Sequence, residues 1–291
     1  MSKSKLYQVF KNIIPPFLFN FFKRAKFYNI LKNIANKVFR SEYNPKWNIV
    51  KSGILKGRKI YFDPKEQWQK EMLEGIYDQF IFDYLKTIDL DGKVIFDIGT
   101  HIGFHSLCFA QLVGPKGKVY SFEPNHFNME RFRMILSKNI DLSERIVPYE
   151  VAVSNSNGKE IFISSDNIEG GTSSGGFINS ADTLWEKDIY EKETGFKRSE
   201  VKTVKLDDIE KELKITDDPS LIKIDVEGAE GLVLGGGKVL LSKFKPIILM
   251  EIHSIKNMFS AMNILNELDY QTTMMKEEKD GRCFLRAISS N

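Results

Sequence analysis

Val94-Ile95-Phe96-Asp97-Ile98-Gly99-Thr100-His101-Ile102-Gly103 is the stretch that decides the fold. Its opening apolar run predicts a short buried strand that delivers Asp97 at its carboxyl edge. Gly99 then lets the backbone approach a ligand closely. Gly103 lets the next helix, expected over Phe104–Leu112, pack near the strand. Downstream come a turn at Gly114–Gly117, a strand at Val119–Phe122 and a helix at Phe127–Ser137. A third strand is expected over Ile146–Val153, with Lys159–Ile163 pairing nearby. Strands recur at Leu221–Ile224 and Pro246–Met250, and Tyr270–Met275 and Cys283–Ile288 flank the turn signal Lys279-Asp280-Gly281. Strands alternating with helices predict βαβ units and a mostly parallel sheet, closed by an antiparallel C-terminal pair.

Upstream, alternation around Gly57 predicts a hairpin from Trp47 to Phe62, and Gln67–Ile88 reads as one long helix. The polar stretch Ser154–Ser199, with Gly170-Gly171-Thr172-Ser173-Ser174-Gly175-Gly176, reads as a lid or acceptor insertion. The expected organisation is a helical arm over 1–45, a hairpin and helix over 46–92, and a catalytic α/β domain over 93–291.

The chain has 291 residues, 42 Lys+Arg against 39 Asp+Glu, and 42% hydrophobic residues. These values exclude disordered, collagen-like and low-complexity classes. Residues 1–40 hold nine basic residues and no acid, leaving an acidic body over 41–291. Either side of Pro15-Pro16 the arm shows helical apolar spacing. Two readings of it stand side by side: helices docked on the body or on a second copy, as in a dimer, and an interfacial helix on an anionic membrane. Two cysteines, Cys108 and Cys283, are too few for a disulfide framework, and no run is long enough to span a bilayer. A cytoplasmic protein, peripheral at the membrane's cytoplasmic face under the second reading, is the expectation.

Asp97 sits where the phosphates of a dinucleotide would be repelled, and the stretch lacks G-x-G-x-x-G. An acid there suits a cation or an amino group. S-adenosylmethionine (SAM) carries a sulfonium and an α-ammonium and no phosphate. Glu123, at the end of Val119-Tyr120-Ser121-Phe122-Glu123, can accept both hydroxyls of a ribose, because a carboxylate has two oxygens for a vicinal diol.

With these residues the chain resembles the FkbM-type SAM-dependent O-methyltransferases of the Rossmann-like class I group. The resemblance runs from about Gly75 to His253. It rests on Asp97-Ile98-Gly99 with Gly103, Phe122-Glu123-Pro124, Val151-Ala152-Val153, Leu206-Asp207-Asp208-Ile209 and, above all, Ile222-Lys223-Ile224-Asp225-Val226-Glu227-Gly228-Ala229-Glu230. It implies a seven-stranded sheet, SAM as donor, and a sugar or natural-product hydroxyl as acceptor. By position it implies Asp97, Gly99 and Gly103 at the methionine end, Glu123 at the ribose, and Val151 and Ala152 near the adenine. His101 stands where many relatives carry Asn, beside the cofactor carboxylate.

Strand alternation points Lys223, Asp225 and Glu227 in a similar direction, and Glu251 and His253 end the next strand in the same way. In an open α/β sheet the carboxyl ends of strands face the ligand. A hydroxyl acceptor calls for a general base, and Asp225, Glu227 and His253 are the candidates, with Lys223 tuning a carboxylate or orienting the acceptor. No metal is required by this reading, although Asp225, Glu251 and His253, with Glu227, offer ligands for Mg²⁺ or Mn²⁺. The acceptor is expected to be a glycan or a hydroxyl-bearing small molecule rather than nucleic acid. The alternatives are a nucleic-acid or other small-molecule methyltransferase and a non-catalytic module that keeps the fold.

Overall fold

The computed structural model describes residues 45–65, 67–165, 175–182 and 196–290. The arm helices, the membrane contact expected of residues 1–40 and the glycine-rich run up to Ser174 lie outside the described residues.

The expected N-terminal hairpin forms: β1 (Lys46–Ile49) pairs antiparallel with β2 (Lys59–Phe62). The single helix expected over Gln67–Ile88 is instead two, α1 (Gln67–Glu74) and α2 (Gln79–Leu85). The break has a tertiary cause. Gly75, at φ +68°, packs so closely on Ser52 that a Cβ there would stand 2.0 Å from its carbonyl oxygen. Asp78 then takes a left-handed conformation at φ 47°.

Next along the chain come β3 (Val94–Ile98), α3 (Phe104–Leu112), β4 (Lys118–Phe122), α4 (His126–Leu136) and β5 (Ile146–Tyr149). The third strand ends earlier than expected. Past Glu150 the chain leaves the main sheet, and Ala152–Val153 forms β6 in a second one. The Ser154–Ser199 stretch is largely strand where it is described. There β7 (Gly158–Ser165) pairs antiparallel with β8 (Phe177–Ile178) and β9 (Phe196–Val204), in the order β6-β9-β7-β8. Lys159–Ile163 thus pairs with β9 rather than with the third strand of the main sheet.

The alternation then resumes with β10 (Leu221–Ile224), α5 (Glu230–Gly235), α6 (Lys238–Phe244), β11 (Ile247–Ile252), α7 (Ile255–Glu267), β12 (Tyr270–Glu277) and β13 (Cys283–Ser289). The main sheet has the order β12-β13-β11-β10-β3-β4-β5. β3, β4, β5, β10 and β11 are parallel, and β13 runs antiparallel to both β11 and β12. This is the expected class I architecture, and a ligand cleft belongs at its switch point, beyond the carboxyl ends of β3 and β10.

Strand parity sorts the core. Ile95, Val119, Leu221 and Leu249 pack on one face with α2, α3 and α4. Phe96, Ile98, Phe122, Ile222, Ile224 and Met250 pack on the other with α5, α6 and α7. Fully burying a side chain such as Phe96 contributes about 2–3 kcal/mol. In register, Ser121, Asp97 and Lys223 lie in one row across β4, β3 and β10, at the same parity as Ile95 and Leu221. The first face therefore carries a polar row just below the cleft.

Candidate active site

The turn after β3 is held to its neighbours on both sides. The Gly99 and Thr100 N–H groups donate to the Phe122 carbonyl (2.9 and 3.1 Å), and the Asp225 N–H donates to the Ile98 carbonyl (3.0 Å). Gly99 has φ +80°, and a Cβ there would stand 1.7 Å from the Asp225 carbonyl oxygen. Only glycine lets the two strand ends approach so closely.

Asp97 is fully buried and stands behind this turn rather than on the cleft wall. Its Oδ2 accepts from Ser106 Oγ at 2.5 Å, and Oδ1 lies 3.5 Å from Lys223 Nζ. Lys223 is likewise off the wall. It donates to the Gly99 carbonyl (3.0 Å) and lies 3.2 Å from Asp225 Oδ2. Neither side chain lines the cleft directly, and of the two roles expected of Lys223 the structure shows the tuning one, its ammonium holding the Asp225 carboxyl down. Side-chain parity turns both into the polar row beneath the turn, where they fix its shape. Gly103 is off the wall too, and its missing Cβ makes room for the Phe132 ring of α4, 2.0 Å from where that atom would stand.

The cleft itself, about 800 Å³, is walled by Gly99, His101, Glu123, Val151, Ala152, Asp225, Glu227, Glu251 and His253 among the candidate site residues read from the sequence. At one end Glu123 Oε2 accepts from the His101 N–H and Oε1 from the Asn125 N–H, both at 2.9 Å. Burial pushes the Glu123 carboxyl up to about 7, against these hydrogen bonds, which lower it. Ile98, Phe122, Val151, Val153 and Phe162 supply an apolar stretch of wall. His101, at φ 54°, is buried enough to hold its imidazole down at about 4, and its Nε2 has no partner among the described residues.

At the other end, acids gather at the ends of β10 and β11. Burial disfavours the Asp225 charge, but Lys223 and then His253 overcome this and hold the carboxyl at about 2. Burial pushes Glu227 up, and it pushes Glu251 to about 8 with the help of Asp225. Burial acts the opposite way on His253, yet the hydrogen bond to Glu230 and the charge of Glu227 raise it to about 10. Glu227 sits at φ 51°, a conformation that is costly outside glycine and gathers at functional sites. Its turn is pinned by the Gly228 carbonyl, which accepts from the Asp182 N–H (2.7 Å) and from Asn257 Nδ2 (2.8 Å).

The family described as Methyltransferase FkbM domain matches residues 97–272. The chain belongs to the FkbM methyltransferase family. The FkbM domain therefore spans β3 to the start of β12, the sheet that builds the cleft, and the family implies SAM as methyl donor. Among solved structures, the chain is similar to an FkbM methyltransferase of Methylobacillus flagellatus KT, with 18% identity and TM-score 0.49 over 69% of this chain. This chain spans 45% of the length of that protein. A SAM-dependent O-methyltransferase of Thermotoga maritima is similar at 13% identity and TM-score 0.43, covering 88% of this chain and 82% of that one. A fibrillarin of Aeropyrum pernix with bound SAM follows at 11% identity and TM-score 0.41, covering 72% and 74%. No curated protein gives a significant match.

The cleft fits SAM. It has a carboxyl beside a backbone turn at one end, an apolar strip, and a group of carboxylates at the other. Trp68 and Tyr77, within the stretch Gln67–Ile88 expected to form a second wall, and Phe162 and Phe177, within the expected acceptor insertion, line the cleft without having been singled out individually, and Arg282 was missed outright. They come from α1, the break before α2, the second sheet and the C-terminal hairpin. The doubled glycine of Gly175-Gly176 was a local signal: a Cβ on Gly176 would stand 2.6 Å from the Phe162 ring.

Proposed function

We propose that the protein transfers the methyl group of SAM to a hydroxyl of a sugar, glycan or natural product. The observation that carries this reading is the carboxylate and imidazole cluster at the ends of β10 and β11, on the same cleft as Glu123 and the Gly99 turn. In this reading Glu123 accepts from both ribose hydroxyls, while Val151 and Ala152 flank the base. Asp225 faces the cationic end of the cofactor, with Asp97 and Lys223 setting the turn from behind. Bound SAM supplies an electrophilic methyl on a sulfonium, which leaves with the S–C electron pair on a neutral thioether.

The chain's task is then to align an acceptor oxygen and take its proton as the O–C bond forms. Glu227 is our choice of base. One Asp225 oxygen is held by Lys223, whereas Glu227 lines the cleft and forms no ion pair with a lysine or arginine among the described residues. His253 is engaged through Nδ1 with Glu230. Glu227→Gln is expected to lower kcat about a hundredfold with SAM affinity unchanged. An unaltered turnover would remove Glu227 from the mechanism. The acceptor class is tested by offering sugar, glycan and small-molecule hydroxyls with methyl-labelled SAM and locating the label by mass spectrometry. Label on nitrogen or carbon in every product would refute the hydroxyl reading.

The Glu123 assignment has a pH signature. A carboxyl with a folded pKa near 7 must lose its proton to accept two hydroxyl donors, so binding is favoured by rising pH. SAM affinity is expected to rise about tenfold more between pH 6 and 8 in the native chain than in Glu123→Gln, read by calorimetry at each pH. Identical pH profiles in the two proteins would contradict it.

A further inference from the structure

His253 is 4% exposed, and the two sides of its ring have different fates. Nδ1 is engaged by Glu230 Oε1 at 2.7 Å, and that same oxygen accepts from the Gly228 N–H at 3.0 Å. Nε2 is buried with no hydrogen-bond partner among the described residues and points into the acids: Glu227 Oε2 at 3.5 Å, Asp225 Oδ1 at 3.7 Å and Glu251 Oε1 at 3.8 Å. A carboxylate on one ring nitrogen that leaves the other aimed at convergent oxygens is the arrangement that orients metal-ligating histidines.

We propose that Asp225, Glu251 and His253 form a site for one divalent cation of the Mn²⁺ and Mg²⁺ class at the acceptor end of the cleft. One donor atom from each lies within 4.8 Å of the other two. Donors about 2.1 Å from a common ion lie about 3 Å apart when adjacent and about 4.2 Å apart when opposite. The Nε2–oxygen separations fall between these, so small rotamer shifts close the shell. The donors are also held from outside. Lys223 anchors the second Asp225 oxygen at 3.2 Å, leaving Oδ1 for the ion, whereas Arg282 Nη1 donates at 2.6 Å to Glu251 Oε1 itself, so Glu251 offers the ion the second lone pair of Oε1 or its Oε2. Carboxylate oxygens with a single imidazole suit Mn²⁺ better than a thiolate-seeking metal, and the wall leaves room for water and an acceptor oxygen. The chemical use of such an ion is to polarise the acceptor hydroxyl beside Glu227. That use rests on the hydroxyl-transfer reading above; the site itself does not.

The test separates the two. The full-length chain, stripped of metal and free of SAM and acceptor, is titrated with Mn²⁺ while the free-ion electron paramagnetic resonance signal is followed. One saturable ion per chain is expected. Glu251→Gln and His253→Ala are each expected to weaken it at least tenfold, and Glu230→Gln, which touches no donor oxygen and reaches the site through His253 and the Gly228 N–H, about tenfold. Glu130→Gln, on the exposed face of α4, leaves it unchanged. Absence of a saturable site in the unmodified chain at millimolar Mn²⁺ overturns the proposal whatever the variants do. So does native affinity in folded Glu251→Gln and His253→Ala. SAM binding is measured on the same samples. SAM bound without Mn²⁺ uptake sinks the metal site alone, and Mn²⁺ uptake without SAM binding sinks the methyltransferase reading alone.

Discussion

Gly99→Ala is expected to unfold the turn that builds the cleft. The added Cβ lands 1.7 Å from the Asp225 carbonyl oxygen and 2.8 Å from its carbon, both backbone atoms that no rotamer change can move aside. The site also demands φ +80°, which costs an alanine roughly 1 kcal/mol before any clash. Relief requires the ends of β3 and β10 to separate, breaking the bond from the Asp225 N–H to the Ile98 carbonyl and shifting Asp225 on the cleft wall. A loss of at least about 3 kcal/mol of stability follows, a fall in Tm of about 6–12 °C for a chain of this size. SAM affinity falls more than about a hundredfold, since the turn places Asp225 on the wall and carries the His101 N–H that holds Glu123. Gly57→Ala is the control. It carries similar left-handed strain at φ +84° with nothing within 4 Å, so it is expected to cost only about 1 kcal/mol and leave SAM binding intact. Equal effects of the two substitutions on Tm would refute the close-approach argument.

Lys223→Met is expected to be nearly as damaging, by a different route. Lys223 is 4% exposed and is the cation shared by Asp97, Asp225 and the Gly99 carbonyl. Methionine matches its length and replaces none of this, so the buried Asp97 and the half-buried Asp225 lose their counter-charge. Breaking a buried ion pair from one side costs about 3–5 kcal/mol. A denaturant titration should show the midpoint shifting with an unchanged slope, because the surface exposed on unfolding is the same. Restoring charge without the reach, with Lys223→Arg, tests whether fit or charge dominates. A planar guanidinium cannot take the ammonium's place among three acceptors, so only part of the loss should return. A variant as stable as the native protein would mean that Asp97 and Asp225 do not need Lys223.

These two residues also mark how far the sequence could be read. The order of strands and helices was legible because each parallel strand is a short apolar run bounded by turn residues. The glycines of the turn were legible from their spacing after Asp97. The direction in which Asp97 and Lys223 face was not, because it depends on strand parity relative to a helix, α3, whose side of the sheet no local pattern states. Gly75 broke an otherwise continuous helical pattern only because Ser52, over twenty residues earlier, lies against it. The second sheet was hidden for a similar reason. β7 and β9 pair across a polar stretch, from Gly158↔Thr203 to Ser165↔Phe196, and no periodicity links strands so far apart. The acid cluster was anticipated as a set, since Asp225, Glu227, Glu251 and His253 all end strands. The role of Glu230 in orienting His253 was not, because it lies on the first turn of α5 and is read most simply as favouring a helix N-terminus.

Calorimetric titration of the whole 291-residue chain with SAM at pH 8 shows whether this cleft binds the cofactor through Glu123 and the Gly99 turn. Saturable binding of one SAM per chain is expected, weakened in Glu123→Gln and lost in Gly99→Ala. No measurable binding to the folded native chain at millimolar SAM would contradict it.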